Sequence, residues 1–191
     1  MWTSFVPALR MLAALTLLTG VAYPLFTWGV AQVAFSPAAN GSMVERDGKV
    51  VASQLIGQPF SGPKYFWSRP SATSPQPYNS AASSGSNQGP RNPALADAVA
   101  DRIKALREAD PANSARVPVD LVTASASGLD PHISVAAAEY QVARVARSRG
   151  MPFERVRALI AQHTDGPTFA VLGESRVNVV MLNLALDRSP K

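Results

Sequence analysis

The sequence predicts a mixed α/β domain, of the α+β kind, anchored by a single N-terminal transmembrane helix. Residues 11–35 carry no charge, whereas residues 36–191 alternate polar loops with short strand patterns and longer amphipathic helix patterns. The chain contains no cysteine, which excludes a disulfide framework and a thiolate metal site. A chain of 191 residues has room for one modest domain besides the anchor.

Residues 11–35 are long and apolar enough to cross a bilayer as a helix. At about 1.5 Å per residue the run extends roughly 37 Å, against a hydrocarbon core of about 30 Å. Pro24 is expected to kink this helix. A signal peptide is the alternative, but its apolar core is only about 7–15 residues long and ends at a small-residue cleavage site. The run is longer, and the sites around Ala31 and Ala34 fit that pattern poorly.

The charges that flank this helix predict its orientation. Arg10 and the amino terminus precede the run, whereas the acidic and basic side chains of residues 45–49 balance each other. Because positive charge favours the cytoplasmic side, we predict three parts. These are a short cytoplasmic N-terminus at residues 1–10, a transmembrane helix at residues 11–35, and an extracytoplasmic domain at residues 36–191.

Small side chains follow one face of the predicted membrane helix. At about 100° per residue, one sector collects Ala13, Thr16, Gly20, Thr27 and Ala31, and the larger Leu and Phe residues lie elsewhere. Such a face lets a second transmembrane helix approach closely. Since Ala and Gly are also common in ordinary membrane spans, packing against a partner helix is a hypothesis.

Turn and capping residues predict the first elements of the domain. Asp47-Gly48 between two apolar pairs predicts a β-hairpin with a type I′ turn. Asn92 as N-cap and Pro93 at the first position begin a helix whose apolar residues recur through Glu108. The segment "VPVDLVTAS" predicts a strand.

The C-terminal part is predicted to contain three helices and one strand. Ser134 begins a helix that Gly150 ends, and Pro152 begins another that extends to about His163. The segment "TFAVLG" predicts a strand. The segment "NVVMLNLALD" fits a helix or a strand, and Asn178 as an N-cap favours a helix.

The helix predicted after Ser134 has a basic face. Tyr140, Arg144 and Arg147 lie on one side, opposite an apolar side. A solvated face is the simplest interpretation, and a docking surface for an acidic partner or anionic lipid is the alternative. Nucleic acid is disfavoured because no known binding motif accompanies the charge.

Two polar, turn-rich stretches interrupt the domain. "YFWSRPSATSPQP" precedes "YNSAASSGSNQGPRNP", whose composition is typical of a linker. A Walker phosphate loop is excluded, because no lysine follows the glycines and no strand clearly precedes them. The remaining ligand hypothesis is a nest of backbone amides at Ser86, Asn87 and Gln88 that binds an anion.

Residues suited to catalysis are scarce. His132 and His163 lack a partner histidine at metal-ligand spacing. Ser125 or Ser127 with Asp130 and His132 suggests a hydrolytic triad, but the segment lacks the Gly-x-Ser-x-Gly elbow. We predict instead a turn in which Asp130 caps the backbone and His132 is packed. No catalytic residue and no metal ligand is assigned.

Five blocks occur in order along the chain: "GSMVERDGKVVASQLIGQPF", "YFWSRPSA", "YNSAASSGSNQGPRNP", "TASASGLDPHIS" and "GESRVNVVMLNLALD". Together they resemble the small C subunits of bacterial Kdp-type potassium-transporting P-type ATPases, over nearly the whole chain. The chain departs from the family pattern at five loop and turn positions. Glycine is usual at Ser84 and Ala126, proline at Val135 and Ser175, and arginine at Pro167.

The resemblance implies a non-catalytic accessory subunit of a high-affinity, ATP-driven potassium uptake complex in the bacterial inner membrane, with its domain in the periplasm. The implied partners are a channel-like potassium-binding subunit, a P-type ATPase subunit, a small single-span peptide and membrane lipid, with no nucleic acid. The complex uses ATP and Mg²⁺ and transports K⁺, whereas this chain needs no cofactor of its own. The phosphorylation motif "DKTGT" does not occur in the sequence.

The resemblance implies two alternative mechanisms for the subunit. The subunit acts as a catalytic chaperone that raises the ATP affinity of the ATPase subunit, or as a clamp over the potassium entrance. We favour the clamp, because the domain is predicted outside and ATP is inside. Residues 60–93 are then an ordered loop rather than a linker. Besides the small-residue helix face, the expected partner contacts are Tyr78, Asn79, Gly85, Ser86, Asn87, Gly89 and Pro90.

Two other classes stay open at this point. One is a membrane-anchored envelope hydrolase that uses Ser125 or Ser127. The other is a membrane-anchored envelope binding module without a transporter partner.

Overall fold

The structure is a computed structural model that describes residues 2–189, with side chains described for residues 4–189. The chain divides into two compact units, Met1–Val51 and Ala52–Lys191. The first contains the apolar helix, and the second contains the mixed helix-and-sheet core. This composition of elements confirms the mixed α/β class with one N-terminal apolar helix.

The apolar helix is continuous but changes its winding near its middle. Helix α1 (Trp2–Leu17) leads into a π-helical turn (Leu18–Ala22) and then α2 (Tyr23–Ala34), followed by the short α3 (Ser36–Ala39). The stretch Ser4–Ala34 is long and apolar enough to cross a membrane, and the described residues contain one such stretch. The helix begins at Trp2, so Arg10 lies within it.

The kink predicted at Pro24 is replaced by a π-helical turn directly before the proline. A proline donates no backbone hydrogen bond, and its ring clashes with the carbonyl four residues earlier, here that of Gly20. In the widened turn, the Tyr23 amide donates to the Leu18 carbonyl, five residues back. The widening therefore makes room for the proline ring without ending the helix.

A β-hairpin follows, as predicted. Strand β1 (Met43–Arg46) pairs with β2 (Lys49–Ser53). The turn residues Asp47 and Gly48 have φ values of 53° and 73°. Positive φ at both central positions is what a type I′ turn requires, and Asp-Gly provides it with little strain.

The described part of the second unit contains four α-helices and a small sheet, besides the long loop. The helices are α4 (Pro93–Ala109), α5 (Val135–Arg149), α6 (Phe153–Gln162) and α7 (Val179–Arg188). The antiparallel sheet has the order β3-β5-β4, from strands His132–Ser134, Arg176–Asn178 and Thr164–Asp165. Val177 on the central strand pairs with Ile133 on one side and Thr164 on the other, and it is fully buried. One apolar core joins this sheet to α5, α6 and α7.

The predicted helix starts are confirmed by their caps. The side chains of Asn92, Ser134 and Asn178 accept hydrogen bonds from the backbone amides of Ala94, Ala137 and Met181. Gly150 ends α5 with a φ of 65°, a left-handed conformation that glycine adopts without strain.

Two predicted strands are wrong. The segment "VPVDLVTAS" forms a 3₁₀ turn at Val119–Leu121, where Asp120 accepts hydrogen bonds from the amide and hydroxyl of Ser134. The segment "TFAVLG" forms a tight turn in which Thr168 and Leu172 pair with each other. Apolar, β-prone composition suggested strands, but neither segment joins the backbone ladder of the sheet.

The basic face predicted on α5 is only partly solvated, because Arg147 alone of its three residues is exposed. Tyr140 and Arg144 are buried, and Arg147 pairs with the buried carboxylate of Asp110. The loop before residue 68 covers Arg144, whereas Glu139 and Arg147 remain exposed on another side of the helix. Burial lowers the pKa of Arg144 from its ordinary value to about 10, the direction expected when a cation is removed from water.

Candidate functional site

Two side-chain amides hold the first part of the polar loop against the core. The amide of Asn183, on α7, accepts from the Phe66 backbone N–H at 2.8 Å and donates to the Phe66 carbonyl at 2.9 Å. Gln141, on α5, does the same for Trp67, at 2.8 Å and 3.1 Å. Both side chains are buried. Each amide therefore offers the loop the donor and acceptor that a neighbouring strand would offer.

Arginine side chains hold the preceding carbonyl groups. Arg144 donates to the carbonyls of Pro63, at 2.6 Å, and Tyr65, at 3.0 Å, and its guanidinium lies 4.7 Å from the Trp67 ring centre. Arg149 donates to the Lys64 carbonyl at 2.6 Å and stacks on Tyr65. These contacts use the planar fork of arginine and its affinity for aromatic faces. The basic side chains of α5 thus fasten the loop.

The next part of the loop is organised by hydroxyl groups. Ser71 donates to the Gly128 carbonyl at 2.7 Å and accepts from the Tyr78 amide at 2.9 Å. Thr73 donates to the Gln76 carbonyl and accepts from the Asn79 amide. The Tyr78 hydroxyl donates to the Arg69 carbonyl, and burial raises the pKa of Tyr78 to about 12. Tyr78 and Asn79, two predicted contact residues, therefore have structural roles within the loop.

Glycines let residues 83–85 pack closely on the loop of residues 125–128. The Ser84 amide donates to the Ser127 carbonyl at 3.0 Å. A Cβ on Gly85 would lie 2.8 Å from the Ala126 carbonyl oxygen, and one on Gly128 would lie 2.8 Å from the Ser84 carbonyl oxygen. The departures at Ser84 and Ala126 both lie at this contact. The hydrogen bonding of residues 60–85 agrees with an ordered loop rather than a linker.

Beyond Gly85 the loop presents polar groups to solvent. Ser86, Asn87 and Gln88 make no hydrogen bond with any described residue, and Gly89 and Pro90 are exposed. Asn87 has a φ of 51°. The structure thus places residues 86–90 together at the outside of a loop whose base is held by the hydrogen bonds of residues 60–85.

A cleft of about 330 Å³ lies beside the fastened part of the loop. Its aromatic and basic lining side chains are Phe60, Trp67, Arg69, Tyr78 and Arg102. Arg102 donates to the Val122 carbonyl at 2.7 Å, and burial lowers its pKa. Ser86, Asn87 and Gln88 do not line this cleft, so the sequence-predicted anion site and the cleft are separate features.

The Asp130 turn forms as predicted. Asp130 Oδ1 accepts from the His132 amide at 3.0 Å and lies 3.3 Å from the His132 Nδ1, while Oδ2 pairs with Arg69 Nη1 at 3.2 Å. Burial raises the pKa of Asp130, but the hydrogen bonds from His132 and the charge of Arg69 outweigh it and hold the pKa below its ordinary value.

No triad is assembled among the described residues. The Ser125 hydroxyl accepts from the Gly128 amide, and the Ser127 hydroxyl accepts from the Leu129 amide. Neither forms a hydrogen bond with His132, which a hydrolytic triad requires. The described residues also contain no group of three or more potential ligands placed to hold a metal ion.

The small-residue face of the membrane helix is divided by the π-helical turn. An extra residue in one turn rotates everything beyond it by about a quarter turn relative to a regular helix. Ala13 and Thr16 lie before this turn, Gly20 lies within it, and Thr27 and Ala31 lie after it. We therefore expect two shorter small-residue faces instead of one. A Cβ on Gly20 would come no closer than 3.9 Å to another atom of this chain, so space there is open.

Comparison with known proteins identifies the family. Residues 5–188 match the family KdpC, described as K⁺-transporting ATPase, c chain. The chain is 66% identical to the potassium-transporting ATPase KdpC subunit of Polaromonas naphthalenivorans, over 95% of this chain and 92% of that protein. It is 64% identical to the same subunit of Variovorax paradoxus, over 96% and 95%, and 61% identical to that of Methylococcus capsulatus, over 96% and 96%.

The chain belongs to the KdpC family, the C chains of potassium-transporting ATPases. It is a membrane-associated subunit with one N-terminal apolar helix, as the uncharged run of residues 11–35 and the sequence blocks together predicted. Membership in a family of transporter subunits does not support the alternatives of an envelope hydrolase or of a binding module without a transporter partner.

Sequence reasoning missed the residues that fasten the loop. Gln141 and Asn183 were not singled out, and Arg144 was assigned to a face that is solvated or docks a partner, not to the interior. The available signal was a polar residue inside an apolar helical run, as in "VVMLNLALD". A buried amide needs hydrogen-bond partners, and a loop backbone without secondary structure provides them.

Removing the Asn183 amide should release the loop. In Asn183→Leu, the buried N–H and C=O of Phe66 lose their partners, at about 1–3 kcal/mol for each group. We expect the free energy of unfolding to fall by roughly 2–6 kcal/mol, and hydrogen exchange at the Phe66 amide to accelerate. Denaturant unfolding and hydrogen exchange measure the two effects. Gln162→Leu, at an exposed helix end, is the control and should change neither; an unchanged Asn183→Leu protein would contradict the role of the amide.

The Asp130 ion pair should make the free energy of unfolding depend on pH. Because the folded pKa of Asp130 lies below 3.8, its contribution is present above about pH 4 and is lost as pH falls through the folded pKa. Asp130→Asn should therefore be less stable than the native chain at pH 7, and the gap should close towards pH 3. Unfolding at a series of pH values measures this. Asp101→Asn, at an exposed position, should show a small and constant gap. A gap for Asp130→Asn that does not vary with pH would contradict the assignment.

Proposed function

We propose that this subunit is an accessory clamp of the potassium-transporting ATPase, with the domain of residues 36–191 on the extracytoplasmic side. The outer part of its loop, residues 86–90, contacts the channel-like potassium-binding subunit. Its membrane helix packs against helices of the other subunits. The subunit itself performs no chemistry and binds no cofactor; ATP, Mg²⁺ and K⁺ are handled by its partners.

The observation that carries this proposal is the fastening of the polar loop. Buried Asn183, Gln141 and Arg144 are committed to this loop. At its outer end, residues 86–88 form no hydrogen bond with any described residue. Burying such polar groups is costly unless each is fully paired. A loop already ordered loses less conformational entropy when it binds, which favours a role as a contact surface.

The proposed orientation bears on how the subunit affects ATP use. With the amino terminus in the cytoplasm, the domain and the nucleotide lie on opposite sides of the membrane. Any effect on the ATP affinity of the ATPase subunit then reaches it through the membrane helices. The role of a chaperone that touches nucleotide directly needs the inverse orientation, which the position of Arg10 disfavours.

The proposed helix contact predicts that substitutions at Gly20 and at Gly29 affect assembly of the complex differently. Gly20→Leu fits within this chain but fills the space that a partner helix needs, and overpacking a close contact costs roughly 1–3 kcal/mol. We expect about tenfold less of the other subunits to be recovered with a tagged chain in mild detergent. Gly29→Leu is the control, because it also has open space in this chain and lies off the small-residue face. Equal recovery with both variants would show that the Gly20 face is not the contact.

Cysteine labelling tests the placement and the loop contact together, since the native chain has no cysteine. Ser86→Cys, at an exposed position, should react with a membrane-impermeant maleimide in intact cells that lack the other subunits. Co-expression of those subunits should protect it. Gln162→Cys, on an exposed part of α6, should react in both cases.

Each failure of this labelling has its own meaning. Labelling of both cysteines only after the cells are permeabilised would place the domain in the cytoplasm and refute the clamp. Labelling of Ser86→Cys that co-expression does not reduce would keep the placement but remove the loop from the contact surface.

A further inference from the structure

An apolar tip projects between strands β4 and β5. It consists of residues 169–172, with the sequence Phe-Ala-Val-Leu. Phe169, Val171 and Leu172 are 86%, 78% and 62% exposed. Exposed apolar side chains are ordinary when scattered singly, but three large ones at one loop end indicate a contact that the isolated chain does not contain.

The tip has a defined shape. Thr168 and Leu172 exchange backbone hydrogen bonds of 2.8 Å and 2.9 Å, and the Ala170 amide donates to the Pro167 carbonyl at 3.0 Å. Phe169 and Ala170 both have positive φ, 53° and 62°, in the manner of a type I′ turn. Asn, Asp and Gly normally occupy such positions, because other residues are strained there. A turn that places phenylalanine at this position keeps an apolar side chain outside at a conformational cost, which is common where a segment binds a partner.

The charges around the tip indicate what it contacts. Residues 164–175 contain two acidic residues and no basic one. Asp165 lies 3.9 Å from Arg176, and Glu174 forms no ion pair with any described residue. Segments that bind anionic lipid headgroups carry clusters of Lys and Arg, so a lipid surface is disfavoured. A protein pocket with an apolar floor and a basic rim complements both the side chains and the charge.

We propose that the apolar tip inserts into an apolar, basic-rimmed pocket on another protein subunit of the same potassium-transporting ATPase. Phe169 fills the pocket, with Val171 and Leu172 at its wall, and Glu174 faces the basic rim. This inference rests on the proposed assembly of the subunit. It adds a third contact, distinct in sequence from the membrane helix and from the loop of residues 86–90.

Photo-crosslinking in the assembled complex identifies the neighbour of the tip. The tagged full chain carries Phe169→p-benzoylphenylalanine and is co-expressed with the other subunits, irradiated in membranes and then purified. We expect a covalent adduct with another subunit of the ATPase. Phe153→p-benzoylphenylalanine is the matched control, at an exposed phenylalanine at the opposite end of α6 from β4, and should give no such adduct.

A second variant measures the strength of the contact. Phe169→Ser removes an apolar side chain that is 86% exposed, so folding should be unaffected. Recovery of the other subunits should fall at least about tenfold, as expected from exposing one buried phenylalanine. Phe153→Ser should leave recovery unchanged.

The outcomes separate this inference from the proposed function. If the native chain does not purify with the other subunits, the assembly itself is refuted. If it does, but Phe169→p-benzoylphenylalanine gives only lipid adducts or none, the tip proposal alone is overturned. Full recovery with Phe169→Ser would overturn it as well.

Discussion

Two buried amides determine the form of this domain. Asn183 and Gln141 pair with the backbone of Phe66 and Trp67, through hydrogen bonds of 2.8–3.1 Å, in the places where a further strand would be expected. The sheet has only three short strands, so it offers little edge for a long loop to join. Helices α5 and α7 instead provide the partners from their side chains. Because the amides and the loop backbone satisfy each other, neither remains unpaired in the interior.

The remaining polar groups of the interior follow from this arrangement. Arg144 is buried because the loop covers α5, and its charge is tolerated because two loop carbonyls and the Trp67 face surround it. The core is therefore built partly from polar contacts between distant parts of the chain. Such contacts are direction-dependent, so they hold the loop in one conformation more strictly than apolar packing alone does. A loop held in this way can present its outer end to another subunit without first having to become ordered.

The proposed contact surfaces differ in polarity and in backbone conformation. Residues 86–90 are polar and lie on a fastened base, whereas the apolar tip exposes three large side chains on a strained turn. The membrane helix has open space at Gly20 and a π-helical turn that divides its small-residue face. A subunit that acts by contact, as proposed for this one, is expected to concentrate its specialised features at surfaces of this kind.

The sequence by itself determined the local elements and the family. Asn92, Ser134 and Asn178 were identified as caps, Asp47-Gly48 as a turn and residues 11–35 as an apolar helix, because each depends on neighbours within a few residues. The sequence blocks identified the transporter family for the same reason: they are read along the chain. Only the tertiary structure decided that Arg144 on α5 is buried, that "VPVDLVTAS" and "TFAVLG" are turns, and that Gln141 and Asn183 hold the loop. Those outcomes depend on contacts between residues that are 74 and 117 positions apart in the chain. Local sequence patterns do not specify such contacts.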